Sequence, residues 1–562
     1  MLPTAPGNYS FNAALADEGG TYRLMADIAA VIEPGDVITL SGDLGAGKTT
    51  FARALIRFFA GDESIEVPSP TFTLTQTYVL PRFRLVHADL YRLSGPAELA
   101  EIGLEDAEEG TLLVIEWPDR AGALLPADRL DVAFTLAPQQ GANARNACIT
   151  GFGRFALRVE RIVAMRRFLD RTGYGRATRR RIQGDASTRS YERLTRDGAT
   201  YIFMNSPKRP DGPAVRDGKP YSAIAHLAES VTPFIAMAHA LRGRGFSAPA
   251  IFAADRESGL LVIEDLGEEL FVEGDPPVPI EARYEAATDL LAELHGDTPP
   301  AIVPVEPGVD YQLTHYDMEA FLIEAELLLD WYLPKLGVKI NDIKRNAFRS
   351  HWQELLLPLT TGPQTWVLRD LHSPNLLWLP EREGVARVGL LDFQDALMGP
   401  AAYDLASLLQ DARVDVPEMM EIALLSRYVR ARMRKGHFEA SDFARGYATL
   451  AAQRASKILG IFARLERRDH KPQYLRHLPR VWTYLQRSLR HPDLAPLAAW
   501  YRTNVPPLKV SPPSVGVRLP SWLSFETARM PPLMIVPPVY VFVPVSVSVP
   551  VPDLLKVPAP LM

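Results

Sequence analysis

Trp366-Val-Leu-Arg-Asp370-Leu-His372-Ser-Pro-Asn375-Leu-Leu-Trp378, followed by Val388-Gly-Leu-Leu-Asp392-Phe-Gln-Asp395, decides the reading of most of this chain. The stretch predicts two buried strands, each ending in polar residues. Asp370 follows the apolar pair Val367–Leu368 with only Arg369 between, and Asp392 closes the run Val388–Leu391. The order D-x-x-x-x-N, apolar strand, D-F is what phosphoryl transfer from ATP needs. One carboxylate, Asp370, takes the proton of the attacking hydroxyl. The Asn375 amide oxygen and the Asp392 carboxylate hold Mg2+, a hard cation that prefers oxygen ligands. The competing reading is a pair of strands with solvated polar exits. Three roles in the right order and spacing weigh against it.

The segment resembles the catalytic and magnesium loops of the aminoglycoside-phosphotransferase-like kinases, through Asp370-Leu-His372-Ser-Pro-Asn375 and Leu391-Asp392-Phe393. Its continuation, Asp392-Phe-Gln-Asp-Ala-Leu-Met-Gly-Pro…Tyr403-Asp404-Leu, is most similar to the bacterial cell-wall kinases that act on N-acetylmuramate and N-acetylglucosamine at the anomeric carbon. The resemblance implies a two-lobed α+β kinase fold and an amino-sugar substrate. Asp404 is expected to anchor the loop, and His372 to orient it by hydrogen bonding.

A second motif stands near the other end. Asp36-Val-Ile-Thr-Leu-Ser is a short apolar strand running into Gly42-Asp-Leu-Gly45-Ala-Gly47-Lys48-Thr49-Thr50 and a helical FARALIRFF. This is G-x-x-x-x-G-K-[ST] in its required setting of strand, loop and helix. Glycines let the backbone wrap phosphate oxygens, and the amides at the helix start attract anions. Lys48 would reach the β- and γ-phosphates and Thr49 would ligate magnesium. Two apolar runs further on end in acids, Asp89 and Glu116; either could face the metal or be a solvated strand end. Ser69-Pro-Thr71-Phe72, His87-Ala-Asp89-Leu-Tyr91-Arg92 and Glu116-Trp117-Pro118 follow the loop in that order. Together with the loop they resemble TsaE, the small ATPase subunit of the bacterial tRNA threonylcarbamoyladenosine machinery, over about residues 10–155. That resemblance implies that Thr49 and Glu116 serve magnesium and that Asp89 serves the metal or the attacking water. It places Thr71 on a nucleotide-sensing loop and Trp117 near the nucleotide. It also implies partners of the TsaB and TsaD type, with any contact to tRNA indirect.

At 562 residues there is room for several domains. The expected division is 1–160 for an α/β P-loop domain, 161–505 for the kinase and 506–562 for a tail. Residues 154–181 hold ten arginines against Glu160 and Asp170, which reads as a solvated helix face. A phosphate-contacting surface is the sharper alternative. Then Gly184-Asp-Ala-Ser187-Thr-Arg189-Ser-Tyr begins a hairpin. By resemblance to the cell-wall sugar kinases its loop covers ATP phosphates. The strand residue that usually supplies a phosphate-binding Lys is Met204, so Arg189 is a candidate for that task. Glu264-Asp-Leu266-Gly267 ends a strand and resembles the hinge whose backbone meets adenine.

Apolar residues at 47% and charged residues at 23% suit a folded core, and a net charge of −6 argues neither for nor against nucleic acid. With Cys148 as the single cysteine no internal disulfide can form, which suits a cytoplasmic location. The opening MLPTAPGNYSFNA lacks a basic region followed by an apolar run, so no secretory signal is expected. The leading reading is a fusion of two ATP-using enzymes. The alternatives are that one half only binds nucleotide, or that the kinase acts on an amino alcohol or aminoglycoside.

The Pro- and Val-rich tail is expected to be disordered, because prolines interrupt its period-2 pattern. Removing 506–562 should leave kinase activity and melting temperature nearly unchanged. A large fall in thermal stability on truncation would show that the tail packs on the kinase.

Overall fold

The computed structural model describes residues 8–81, 83–95, 98, 110–182, 189–208 and 212–506. Gly184, Ser187 and the tail from residue 507 lie outside the described residues. The described residues fall into two compact units. The first runs to residue 208 and adds 228–242 and 248–267; the second takes 212–227, 243–247 and 268–506.

The first unit holds β1 (Asn8–Leu15), β2 (Val37–Gly42), β3 (Thr75–Val79), β4 (Arg84–Asp89), β5 (Leu112–Glu116), β6 (Arg129–Leu136) and β7 (Arg145–Phe152) in one sheet, ordered β1-β7-β6-β2-β5-β4-β3. Its centre is parallel, with β2 between β5 and β6 and β4 beside β5. The central strands are apolar runs because both faces of a parallel sheet are covered. Helices α1 (Glu18–Ala29), α2 (Lys48–Ala60) and α3 (Phe155–Arg171) belong to the same unit. Helix α1 begins at Glu18 because the Asp17 carboxylate caps the Gly20 N–H at 2.7 Å.

A second, antiparallel sheet in this unit is built from β8 (Thr178–Ile182), β9 (Ser190–Arg196), β10 (Ala199–Asn205) and the strands Ile251–Asp255 and Leu260–Glu264. The two sheets share one core. Phe58 and Phe59 of α2, Phe168 and Leu169 of α3, and Phe203, Leu260 and Val262 of the second sheet form a single buried cluster.

The arginine-rich stretch is the main departure from the sequence reading, for half of its ten arginines are not exposed, and two of the exposed ones, Arg154 and Arg171, are held in ion pairs. Arg154 and Arg158 bind Asp36, Arg166 binds Asp27, and Arg171 binds Asp255. Arg161 donates to Asn205 Oδ1 at 3.0 Å and to the Ser258 carbonyl. Arg179, only 3% exposed, is held between Asp27 of α1 and Glu192 of β9. The linear charge count misled because every one of these partners lies outside residues 154–181. A division at residue 160 falls inside α3, between Arg158, bound to Asp36, and Arg161, bound to Asn205.

The second unit is mostly helical, around the 30-residue helix Ala440–Asp469. The two runs expected as strands are strands, but they do not pair with one another. Thr365–Val367 pairs with Leu397–Gly399, and Val388–Leu390 pairs with Leu376–Trp378. Among the described residues no helix is long and apolar enough to cross a membrane.

Removing one partner of a buried ion cluster leaves uncompensated charge, which costs about 3–5 kcal/mol. Arg179→Met removes the guanidinium that holds the buried Glu192 and leaves Asp27 with Arg166 alone, and should lower stability by about that amount. Arg167→Ala, on the exposed side of α3, should change it by less than about 0.5 kcal/mol. Urea unfolding of both variants checks this, and equal losses would contradict it.

Candidate functional site

The phosphate loop lies between β2 and α2. Gly42, Gly45 and Gly47 take φ of +130°, +77° and +111°, a region L side chains avoid. A Cβ at Gly42 would strike the Phe134 carbonyl oxygen, whereas one at Gly45 or Gly47 would meet nothing within 4 Å. The loop therefore wraps open space. A cavity of about 230 Å³ opens there, walled by Gly45, Gly47, Lys48, Thr49, Thr50, Thr71, Asp89, Glu116 and Trp117 among others.

Strand register brings the acids in. Parallel pairing of β4 with β5 sets Asp89 opposite Glu116, and pairing of β2 with β5 sets Leu40 opposite Glu116. Both acids thus stand at the carboxyl end of the parallel strands, where such sheets bind ligands. Thr49 Oγ1 donates to Glu116 Oε2 at 3.0 Å. Asp89 accepts from Thr71 Oγ1 at 2.6 Å, Ser69 Oγ at 3.2 Å and the Tyr91 N–H at 3.0 Å. Lys48 donates to the Gly42 and Asp43 carbonyls at 2.8 and 2.9 Å, and its amine stands 3.8 Å from the Trp117 ring centre. Burial pulls that amine below the usual lysine range, against the opposing pull of Glu116, Asp89 and Asp43.

His87 has a place in this site that its sequence motif does not specify. It is fully buried, and its Nε2 lies 2.9 Å from Glu116 Oε1, fixing the acid from behind. The available signal was its place two residues before Asp89 on one strand, hence on the same face.

The Asp370 set lies in the second unit. Asp404 grips the backbone ahead of Asp370, accepting from Leu368 N–H at 2.7 Å and Arg369 N–H at 2.8 Å. Asp411 grips it behind, accepting from Ser373 N–H at 3.0 Å and Ser373 Oγ at 2.5 Å. Between these anchors Arg369 takes a left-handed φ of +70°. Asn375 Nδ2 donates to the Asp370 carbonyl at 2.9 Å, and the Leu391 N–H donates to the Asn375 carbonyl at 3.0 Å, which brings the segment leading into Asp392 alongside. Asp392, at φ +57°, accepts from Gln394 Nε2 at 2.9 Å. Burial alone would raise the Asp370 pKa, but Lys457, His372, Arg454 and Arg369 outweigh it and hold the carboxyl below its usual range.

Asp404 anchors the loop as expected, while Asp411, Glu324 and Lys457 escaped sequence reading. The fully buried Glu324 accepts from Lys457 at 2.7 Å, from Arg369 and from the Tyr316 hydroxyl, and its carboxyl is held down at about 2. A lone acid in the apolar run FLIEA was the signal for it. Among the described residues the buried His372 Nδ1 has no hydrogen-bond partner.

Of the remaining expected residues, Arg189 immediately precedes β9. The Glu264 carboxylate is taken up by the Ala250 N–H at 3.0 Å and Arg242 at 3.1 Å, and the Leu266 side chain is buried. Both clusters offer magnesium oxygen donors alone, Thr49 with Glu116 and Asn375 with Asp392, the ligand type that ion takes.

Two family models match the chain. Threonylcarbamoyl adenosine biosynthesis protein TsaE matches residues 15–146, and the phosphotransferase enzyme family matches 178–452. The N-acetylmuramate/N-acetylglucosamine kinase of Caulobacter vibrioides is 39% identical over 365 residues, 62% of this chain and 97% of that protein. The kinase of the same name from Pseudomonas aeruginosa is 34% identical, over 56% of this chain and 84% of its own. The tRNA threonylcarbamoyladenosine biosynthesis protein TsaE of Rickettsia bellii is 43% identical over 122 residues, 22% of this chain and 84% of that protein. This chain belongs to both families. It is an enzyme with a TsaE-type P-loop ATPase part and a kinase part of the phosphotransferase family.

The kinase part carries a testable acid sensitivity. Burial pushes the His372 imidazole down to about 4, with Asp411 opposing and Arg413 and Arg454 adding to the effect. The folded form then binds a proton less readily than the unfolded chain, whose imidazole titrates near 6.5. The stability this contributes is present above about pH 6.5 and is lost as pH falls from there toward 4. Replacing His372 by Gln should flatten the dependence of melting temperature on pH across that window. An unchanged slope would place the acid sensitivity elsewhere.

Proposed function

We propose that the protein is bifunctional. Its kinase part transfers the γ-phosphoryl group of ATP to the anomeric hydroxyl of N-acetylmuramate or N-acetylglucosamine. Its TsaE part hydrolyses ATP in support of tRNA threonylcarbamoyladenosine formation, with partners of the TsaB and TsaD type. For the kinase the observation that carries the reading is the Asp370 carboxylate, kept ionised and gripped through the backbone on both sides by Asp404 and Asp411. The names of the relatives supply the substrate class.

Asp370 orients the acceptor hydroxyl and takes its proton as the new P–O bond forms and the bond to the ADP oxygen breaks. Such a fixed acceptor lowers the barrier mainly by positioning. Magnesium, held through Asn375 and Asp392, would supply charge neutralisation on the phosphates. Met204 is buried between Tyr191 and Leu261 in the sheet register, so the cation that meets the inner phosphates comes from elsewhere, and Arg189 is assigned that task. In the TsaE part, Lys48 exchanges the Gly42 and Asp43 carbonyls for phosphate oxygens. Thr49 and Glu116 would hold magnesium, and Asp89 would serve the attacking water or the metal.

Replacing Asp370 by Asn should cut sugar phosphorylation by roughly a thousandfold while ATP still binds. Phosphorus NMR should place the phosphate on C1. Phosphate on C6, or equal turnover of the open-chain alditol, would replace the anomeric reading with a general sugar kinase.

With the kinase silenced by Asp370→Asn, adding Lys48→Ala should lower the remaining ATP hydrolysis by roughly a hundredfold, with little change in melting temperature. Hydrolysis that survives Lys48→Ala would remove the TsaE part as its source.

A further inference from the structure

A second cavity, of about 260 Å³, opens among α1, α2 and β8, where the P-loop sheet meets the second sheet of the same unit. Its walls carry Arg53 and Arg57 from α2 and Arg180 and Arg181 from β8, against two acids, Glu18 and Glu63. Four cations less two anions leave a net charge of +2. Arg53 and Arg57 spend their Nε hydrogens on the Val67 and Ile65 carbonyls at 3.1 and 3.0 Å. Those bonds fix the two guanidinium groups and leave their terminal nitrogens for a ligand. Neither they nor Arg180 are in an ion pair among the described residues, in a unit where six nearby arginines bind carboxylates or carbonyls. Ala54 and Phe58 add an apolar wall.

We infer that this cavity is a binding site for a small phosphorylated organic molecule, a sugar phosphate by preference. Guanidinium groups on facing elements suit a dianion with three oxygens better than a single carboxylate does. The apolar wall gives the organic part a surface that bare phosphate would not use. The two acids disfavour an extended polyanion such as RNA. The choice of sugar phosphate rests on the proposed function, since that is the class of product the kinase part makes. The phosphate chemistry of the cavity does not rest on it.

The position gives the site a consequence. Thr50 walls both this cavity and the one at the phosphate loop. A ligand held by Arg53 and Arg57 therefore sits against the helix that carries Lys48 and Thr49. It is placed to alter ATP hydrolysis by the TsaE part according to the supply of phosphorylated sugar.

The test uses the full chain carrying Asp370→Asn, compared with the same chain carrying Arg57→Glu and Arg180→Glu as well. N-acetylglucosamine 1-phosphate, adenosine monophosphate and inorganic phosphate are titrated calorimetrically into both, and ATP hydrolysis is followed in parallel. The sugar phosphate should occupy one more site in the first chain than in the second. It should change hydrolysis severalfold in the first chain only. Tighter binding of the nucleotide at the same site would keep a phosphate-ester site and overturn the sugar. Binding of inorganic phosphate as tight as the esters would overturn the organic ligand. Identical isotherms, or displacement only by tRNA, would overturn the site altogether. If the double replacement fails to fold, Arg180→Ala alone, on an exposed side chain, should weaken binding about tenfold. Because the binding readout needs no turnover of sugar, it fails or succeeds apart from the kinase assignment.

Discussion

The Arg179 guanidinium, closed off from water between Asp27 and Glu192, is the interaction on which the first unit turns. A buried charge is tolerated only when it is paired and hydrogen-bonded. Here the pair joins α1, beside the P-loop sheet, to β8 and β9 of the second sheet. Arg166 of α3 closes on the same Asp27, and the Tyr22 hydroxyl of α1 donates to the Arg179 carbonyl at 3.0 Å. Apolar packing alone tolerates sliding. An ion cluster of fixed geometry does not, so it sets how α1, α3 and the second sheet are placed around their shared core.

The second unit solves a similar problem beside its catalytic loop. Arg369 is nearly fully buried next to Asp370; Glu324 from one helix balances it, and Lys457 from another helix pairs with the same Glu324. The residues that fix the charge of the loop are therefore not those that fix its backbone. Asp404 and Asp411 do the latter through N–H groups. Separating the two tasks lets Asp370 stay ionised while the backbone beside it holds a left-handed conformation.

The chemistry-bearing residues were legible where chain neighbours carry the signal. The Gly42–Thr49 loop needs glycines at fixed offsets, and the structure shows positive φ at all three of them. The register of β4 against β5 then places Asp89 beside Glu116, as an apolar run ending in an acid suggested for each. His87, Asp411, Glu324 and Lys457 were not legible as a set, because each acquires its task from a partner more than 25 residues away.

By itself the sequence determined that two nucleotide-handling folds occur in tandem, which residues carry their motifs, and that Met204 stands where a phosphate-binding Lys would be expected. Local steric rules and strand–loop–helix order suffice for the phosphate loop, since they act over a few residues, whereas the kinase fold and the place of Met204 rest on resemblance to known kinases. Only the tertiary structure decided that the arginine-rich stretch joins rather than separates, and that α3 serves both sheets. A guanidinium reads as solvated in the linear chain until the fold brings up its carboxylate. Desolvation and pairing are properties of that encounter, not of the residues that enter it.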